Sequence, residues 1–576
     1  MKTIWNLVKN ECGNLNPISE KQSLELSPEN LNSFFIQKVS DIVEGMKVPN
    51  SGQFNYFINR MDKPKCSFHF RLVTVEEVFR VISKMNNSKC EDVYGLSPVM
   101  LKAVSQYISE PLTHIINTCI LDNTYPSKFK FSKIIPVHKN GSKELCDNYR
   151  PISIVPTISK ILETVLNEQI MNYMEMNNLL SDSQFGYRIG HSTVKAVISY
   201  ITNNIEALEN KYKTQSRFFD LSKAFDTVAH QILLEKLKAY GFTENAIALL
   251  KSYLSNRYQR VDFNATSSKF KLVSHGVPQG SNLGPTLFII YINDLPFNII
   301  GTSIEKYLYA DDLALCSNST NAQELQNNLD TATDEVEAWC SANLLCLNRD
   351  KTQNINISFS RISPLQNNTD TVNFLGITID SRLNWKAHID KIASKVNKGI
   401  FAIRRLRDCV NIDVLKQVYF AMIHSHLSYG SILWANSPDS IRLFILQKRA
   451  IRLICGLPFR SHCKMSFKQL KIMTLPALFV FQCLMYVKEN ASSFTIQSEV
   501  HNYNTKSSNN IVTFQCNYAK TQKSFYYIAV KMYNVLPFAI RQLPHKLFKN
   551  IIKKRLIEAV LYSTEEYFDV CNSFFV

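Results

Sequence analysis

No two of the fourteen cysteines form a Cys-x-x-Cys pair, and the nearest two, Cys340 and Cys346, have no histidine beside them at zinc-finger spacing. That excludes a zinc knuckle. Cysteines scattered in this way through a long chain belong to a reduced, intracellular protein and are mostly structural. Long apolar runs are missing too. The longest, Ala477 to Val487, is interrupted by Gln482 and falls short of the ~20 residues that cross a bilayer. Asn6 and Lys9 break up the first residues, so no signal peptide is legible. Internal repeats and low-complexity tracts are also absent. What remains is a 576-residue chain, 45% hydrophobic and 20% charged. That is ordinary globular composition, long enough for several domains at about 100–200 residues each.

Positive charge is unevenly spread. Ser381 to Val576 carries 28 lysines and arginines against 10 acidic residues, a net +18 in a chain of net +17. Residues 1–380 are therefore close to neutral. A basic last third with interleaved aromatics predicts a polyanion-binding surface there, where the plain alternative is a solubilising face.

The pattern of apolar residues divides the chain. A short helix is predicted from Thr74, with Val75, Val78, Phe79 and Ile82 on one face. The polar stretch Pro49 to Pro64 reads as a loop. Between them and about residue 380, strands alternate with helices. Strands are expected at Ile134–Val137, Phe218–Leu221, Leu308–Tyr309 continuing through Leu313–Cys316, and Phe374–Ile379. Helices are expected at about 230–240 and 321–340. This is an α+β pattern. Past Trp385 the period becomes helical, with Ile389, Ile392, Ala393, Val396, Ile400, Ile403 and Leu406 on one face and Lys391, Lys395, Lys398, Arg404, Arg405 and Arg407 around the rest. A second amphipathic segment, Ile441 to Ile454, carries Lys448, Arg449 and Arg452. A helix with one apolar and one basic face suits a duplex backbone.

Three segments carry chemistry. The first is YADD, Tyr309 to Asp312, between two apolar stretches, which predicts a hairpin with adjacent aspartates at its tip. Carboxylates forced together repel, and a divalent cation relieves the repulsion. An Asp pair by itself also suits a plain turn. The second is FFDLSKAFDTVAH, Phe218 to His230, in which Asp220 ends an apolar strand. The third is GVPQGSNLGPTLFIIYINDLP, Gly276 to Pro296. Its Gly276, Gly280 and Gly284 allow close backbone approach, and Ser281 is placed to cap the apolar helix that follows. Alone, such a loop is equally a turn.

In this order the three segments resemble the motifs of reverse transcriptases. SKAFDTV, GVPQGS and YADD together look like the non-LTR retrotransposon branch of the jockey or CR1 type. YRPIS (Tyr149–Ser153) and QFGYRIGHST (Gln184–Thr193) are similar to that branch's finger motifs. ANLLCLNRDKT (Ala342–Thr352) and FLGITID (Phe374–Asp380) are similar to its later palm motifs and primer grip, and LNWKAHI (Leu383–Ile389) to the start of its thumb. The resemblance covers about Val73 to Ile454. It implies a right-hand polymerase: an N-terminal extension (1–72), fingers and palm (73–380), a helical basic thumb (381–460) and a basic C-terminal region (461–576).

The resemblance also implies roles. Asp220, Asp311 and Asp312, with the backbone carbonyl of Leu221, match the ligands of two Mg²⁺ ions, Mn²⁺ being a substitute. Phe225 matches the aromatic gate that clashes with a ribose 2′-hydroxyl. Gln279 and Gly280 match the loop that packs on the incoming nucleotide and template. Lys139 and Arg150 match cations that reach the triphosphate, and Lys351 a lysine that protonates pyrophosphate. Template RNA, primer DNA and deoxynucleoside triphosphates are the implied partners, and access to the nucleus is the implied setting, although no targeting signal is legible.

Some features depart from the family. The strand before Asp220, KTQSRFF, is more polar than a buried strand should be, and Asn282 stands where an apolar residue is usual. No endonuclease precedes the polymerase segments, and residues 1–72 resemble the connector that follows one. Two other readings share these residues: a decayed remnant that still binds nucleic acid, and an intron-type maturase. The retained aspartates argue against the first, and the lack of Cys and His clusters near the C-terminus against the second.

Overall fold

The computed structural model describes residues 26–46, 57–58, 60, 64–301, 303–359, 369–500, 508–513 and 515–574. Most of the loop expected over 49–64, and the first 25 residues of the expected N-terminal extension, lie outside them.

Two sheets organise the chain. The first joins β1 (Phe131–His138), β2 (Tyr149–Ile154), β4 (Arg257–Phe263), β5 (Thr266–Ser267) and β6 (Lys271–Val273) in the order β2-β1-β4-β5, with β6 also on β4. The second is antiparallel, in the order β7-β8-β3-β9, from β3 (Lys213–Phe219), β7 (Ile304–Tyr309), β8 (Asp312–Ser319) and β9 (Gln353–Ile357). Side chains alternate across it, as a period of two requires. Phe218, Tyr307, Ala314 and Cys316 enter one hydrophobic cluster, while Phe219, Leu308, Leu313 and Leu315 enter another.

The two clusters account for the helices. α1 (Pro28–Glu44) lies on the first sheet, where Leu31 and Phe35 meet Ile134, Tyr149 and Val261. α2 (Val75–Lys84) starts at a Thr74–Glu77 capping box. Of its four expected apolar residues, Val78 and Ile82 are buried and Val75 and Phe79 stay exposed. α3 (Thr157–Met176), α5 (His230–Ala239), α6 (Gly284–Ile292) and α7 (Ala322–Ala342) pack on one face of the second sheet, and α4 (Thr193–Glu209) on the other.

The polar strand KTQSRFF turns out to be interior: all but Lys213 is buried, between β8 and β9. Its polar side chains are satisfied rather than solvated. Ser216 accepts from the Tyr200 hydroxyl at 2.8 Å, Gln215 donates to Gln326, and Arg217 donates to Asn354 at 2.8 Å and to Asp330 at 3.0 Å. Buried polar groups cost little when so paired.

The single strand expected over Phe374–Ile379 is instead a hairpin, β10 (Thr371–Phe374) and β11 (Ile377–Asp380). Leu375 and Gly376 both have positive φ, 48° and 81°, which makes the tight two-residue turn that twisted strands prefer. Asp380 then accepts from the backbone of Arg382, Asn384 and Trp385 and delivers the chain into α8 (Lys386–Leu406). α8 has the expected two faces: Ile389, Ile392, Val396, Ile400, Ile403 and Leu406 are buried, and its lysines and arginines are exposed. α9 (Ser440–Ile454) packs against it, and α10 (Leu475–Glu489) is the core helix of the last third. No single helix among the described residues is long and apolar enough to cross a membrane.

Candidate active site

Asp220 is the first residue past β3. The next residue, Leu221, forms an antiparallel bridge with Leu347, in which Ser222 N donates to the Cys346 carbonyl and Asn348 N to the Asp220 carbonyl, each at 2.8 Å. In this geometry the Leu221 carbonyl points away from the partner strand and is left for another ligand.

The YADD segment is the hairpin turn between β7 and β8. Tyr309 pairs with Asp312, Ala310 and Asp311 form the turn, and Ala310 takes a φ of 55°. Asp311 is pushed up from the usual carboxylate range by burial and by the charge of Asp220. Asp312 is pushed up to about 6 by burial, then by Asp311 and Asp220. The three carboxylates thus sense one another across the sheet end. Among the described residues, however, no three acidic, His or Cys side chains already enclose a cation site. Asp220 is instead engaged by Lys351, whose Nζ lies 3.1 Å from its Oδ2. The donor set is all oxygen and carries surplus negative charge, which fits Mg²⁺.

A cavity of about 580 Å³ opens above this end of the sheet, within the ~300–1,000 Å³ of small-molecule sites. Its wall contains Asp220, Leu221, Phe225, Asp311 and Lys351 from the strand ends, Lys139 and Arg150 from the β1–β2 hairpin, and Gln279 from the glycine loop. Lys139 is fixed by its backbone N–H on the Asn148 carbonyl at 2.8 Å, and Arg150 sits opposite Val137 in the ladder. Gly280 and Asp312 are not in this wall.

The Phe225 ring stacks on Phe288 of α6, centroids 4.2 Å apart, and meets the edge of Tyr187. The glycine loop folds back on it: Val277 N donates to the Phe225 carbonyl and Gly276 N to that of Val228. The close approaches that the glycines serve are to the chain itself. A Cβ on Gly280, at φ 127°, would lie 2.2 Å from the Ser153 carbonyl oxygen, and one on Gly276 would lie 2.5 Å from that of Asp226. Ser281 accepts from Gly284 N at the head of α6. Asn282 donates its backbone N–H to Glu163 and its side-chain amide to Thr164, so the polar departure ties the loop to α3.

Sequence reasoning overlooked two residues here. Asp226, within SKAFDTV, accepts from Gln279 Nε2 at 2.8 Å, and burial pushes its carboxyl up to about 6. As an acceptor only, Asp226 fixes which end of the Gln279 amide faces it, and the buried Oε1 of Gln279 has no partner in the chain. Gln184, the first residue of QFGYRIGHST, is fully buried behind the YADD turn. Burial inside a recognised motif was the only available signal for either, and it is not visible in sequence.

The basic helices divide. On α8, Lys395 and Lys398 are exposed and no ion pair engages them among the described residues. On α9 the expected cations are partly used internally. Lys448 lies over the Phe444 and Tyr562 rings, and Arg452 donates to the Ser461 carbonyl.

Residues 137–379 match the reverse transcriptase (RNA-dependent DNA polymerase) family. Over 429 residues the chain is 28% identical to the probable RNA-directed DNA polymerase from transposon BS of Drosophila melanogaster, covering 71% of this chain and 47% of that protein. It is 26% identical over 419 residues to the RNA-directed DNA polymerase from mobile element jockey of the same fly, covering 69% and 46%, and 27% identical over 416 residues to that of transposon X-element, again 69% and 46%. The chain spans about half the length of the curated relatives it matches. Motif order, the cavity and these relatives agree: residues 137–379 form a reverse transcriptase domain, in a chain related to the polymerases of the jockey, BS and X-element retrotransposons.

Proposed function

We propose that this chain is an RNA-directed DNA polymerase that extends a primer 3′-end with deoxynucleotides in the replication of a retrotransposable element. The observation that carries the reading is the single cavity in which Asp220 and Asp311 face Lys139, Arg150, Phe225, Gln279 and Lys351. Acidic groups and cations gathered in one cavity suit a metal-bound triphosphate. In this reading the β7-β8-β3-β9 sheet and its helices are the palm, the first sheet is the fingers, and the helices from Lys386 are the thumb.

Asp220, Asp311, Asp312 and the Leu221 carbonyl would hold Mg²⁺, or Mn²⁺ in its place. The metal supplies charge neutralisation at the attacking hydroxyl and the leaving pyrophosphate. Arg150 and Lys139 bind and orient the triphosphate by charge-assisted hydrogen bonds. Phe225, held flat by Phe288, forms the floor under the sugar and leaves no room for a 2′-hydroxyl. Lys351, which pairs with Asp220 at 3.1 Å in the same cavity, would give a proton to the departing pyrophosphate. RNA is the proposed template, and a DNA template fits the same cavity.

Primer extension by the purified chain, on RNA and on DNA templates with Mg²⁺, tests this. Asp311→Asn should abolish extension while leaving the circular dichroism spectrum unchanged, because the barrier rises by several kcal/mol when a metal ligand is lost. Extension at the wild-type rate by the folded mutant would refute the site.

A further inference from the structure

Part of the cavity wall comes from outside the segment that matches the family. Phe34, Lys38 and Ile42 of α1 line it beside Lys139 and Arg150, more than ninety residues before the family match begins at residue 137. α1 is not loosely laid there. Asn32, fully buried, donates to the carbonyls of Gln259 and Lys269 and to the Ser268 hydroxyl. Lys271 pairs with Glu29 at 2.8 Å. These contacts fix the turn that follows, so that Phe34 and Lys38 face the cavity.

What they bring is positive charge held close together. The centre of the Phe34 ring is 5.3 Å from the Lys38 ammonium and 5.9 Å from that of Lys223. Lys139 is near enough to Lys38 to depress its affinity for protons, after burial, and Lys223 lines the same cavity. Lys38 pairs with Asp147, which is more than half exposed. Three ammonium groups in one wall are the mirror image of the crowded carboxylates that line the same cavity. Where the carboxylates call for a cation, these call for a polyanion, and one with several charges in a short length relieves them best.

We propose that α1 is the roof of the nucleotide site and that Lys38 binds the triphosphate of the incoming nucleotide, leaving Asp147 to do so. This rests on the polymerase reading above and adds a phosphate-binding residue to it. Lys38 and Lys223 both lie within cation–π reach of Phe34.

The test uses the full chain in steady-state primer extension on an RNA template, with titration of one deoxynucleotide and separate measurement of primer–template affinity. Lys38→Ala should raise KM for the nucleotide roughly tenfold, the loss of one charge-assisted contact, with kcat and primer–template affinity little changed. Lys38→Arg should restore most of it. Asp147→Asn, which removes the competing anion, should lower KM. Absence of extension by the wild-type chain would defeat the polymerase reading itself. An active wild type with equal KM in Lys38→Ala would overturn the inference and reduce Lys38 to a surface pair for Asp147. A loss of primer–template affinity at unchanged KM would overturn it too, since the cations would then face the template.

Discussion

The side-chain oxygen of Gln184 accepts from the backbone N–H of Ala310 at 3.1 Å and from that of Gly186 at 2.7 Å. Ala310 precedes Asp311 in the turn between β7 and β8, and it holds a left-handed φ that only a supported alanine keeps. The segment around Gln184 is itself laid along β7, with Phe185 N on the Leu308 carbonyl at 2.7 Å and Leu308 N on that of Ser183 at 2.8 Å. Gln184→Leu should therefore orphan two buried N–H groups at about 1–3 kcal/mol each and lower kcat more than it raises KM. Urea unfolding and primer extension measure the two effects, and unchanged kcat would make Gln184 a packing residue only.

Phe225→Ala should admit ribonucleotides. The ring is fixed by Phe288 at 4.2 Å, so its loss removes a clash and supplies little attraction in return. The ratio of kcat/KM for a deoxynucleotide to that for its ribonucleotide should fall while deoxynucleotide turnover falls less. An unchanged ratio removes Phe225 from sugar selection.

Lys236 and Asp294 form an ion pair at 2.6 Å with both side chains 1% exposed. Asp294 also accepts from the Trp339 indole at 3.0 Å, and Lys236 lies over the Tyr291 and Trp339 rings. Asp294→Ala leaves a buried ammonium unpaired and should destabilise the fold by about 3–5 kcal/mol, read as a lower urea midpoint. Asp294→Ala with Lys236→Met should recover much of that loss.

Asp312 and Asp226 both rise from an ordinary 3.8 to about 6. Between those values the folded chain holds protons that the unfolded chain has released, so stability falls as pH rises through that window. At the proposed site Mg²⁺ would bind the carboxylate form of Asp312 and oppose the fall. Thermal melts should show Mg²⁺ raising Tm clearly at about pH 7 and little at about pH 5. An equal shift at both would place the metal elsewhere.

Charge reversal at Lys395, Lys398 and Arg405, all on the exposed face of α8, should weaken binding of an RNA–DNA hybrid to most sequences alike and flatten its dependence on salt. Equal slopes of log affinity against log salt in mutant and wild type would make that charge a solvated surface.

The parts of the site that were legible in sequence are those whose logic is local. The YADD turn, Asp220 at a strand end, the helix beginning at Thr74 and the two faces of α8 follow from residues within a few positions of one another. The parts that were not legible depend on partners far along the chain. KTQSRFF looks too polar for a core because Tyr200, Gln326, Asp330 and Asn354, which satisfy it, are 16 to 137 residues away. FLGITID looks like one strand because its turn is two residues set in an apolar run. The cations of α9 look free because the Tyr562 ring that covers Lys448 comes more than a hundred residues later.

The polar side chains of β3 act as the teeth of a key. An all-apolar strand in that position could slide by a residue and still bury its surface, although each slip exchanges the two faces of the sheet. In β3, Ser216 must meet Tyr200 and Arg217 must meet Asn354 and Asp330, and any other alignment strands a buried charge. The strand is thereby held to one position along its own axis, and the next residue out is Asp220. Replacing Ser216 and Arg217 with valine and leucine would make a greasier strand that no longer measures where the carboxylate stops.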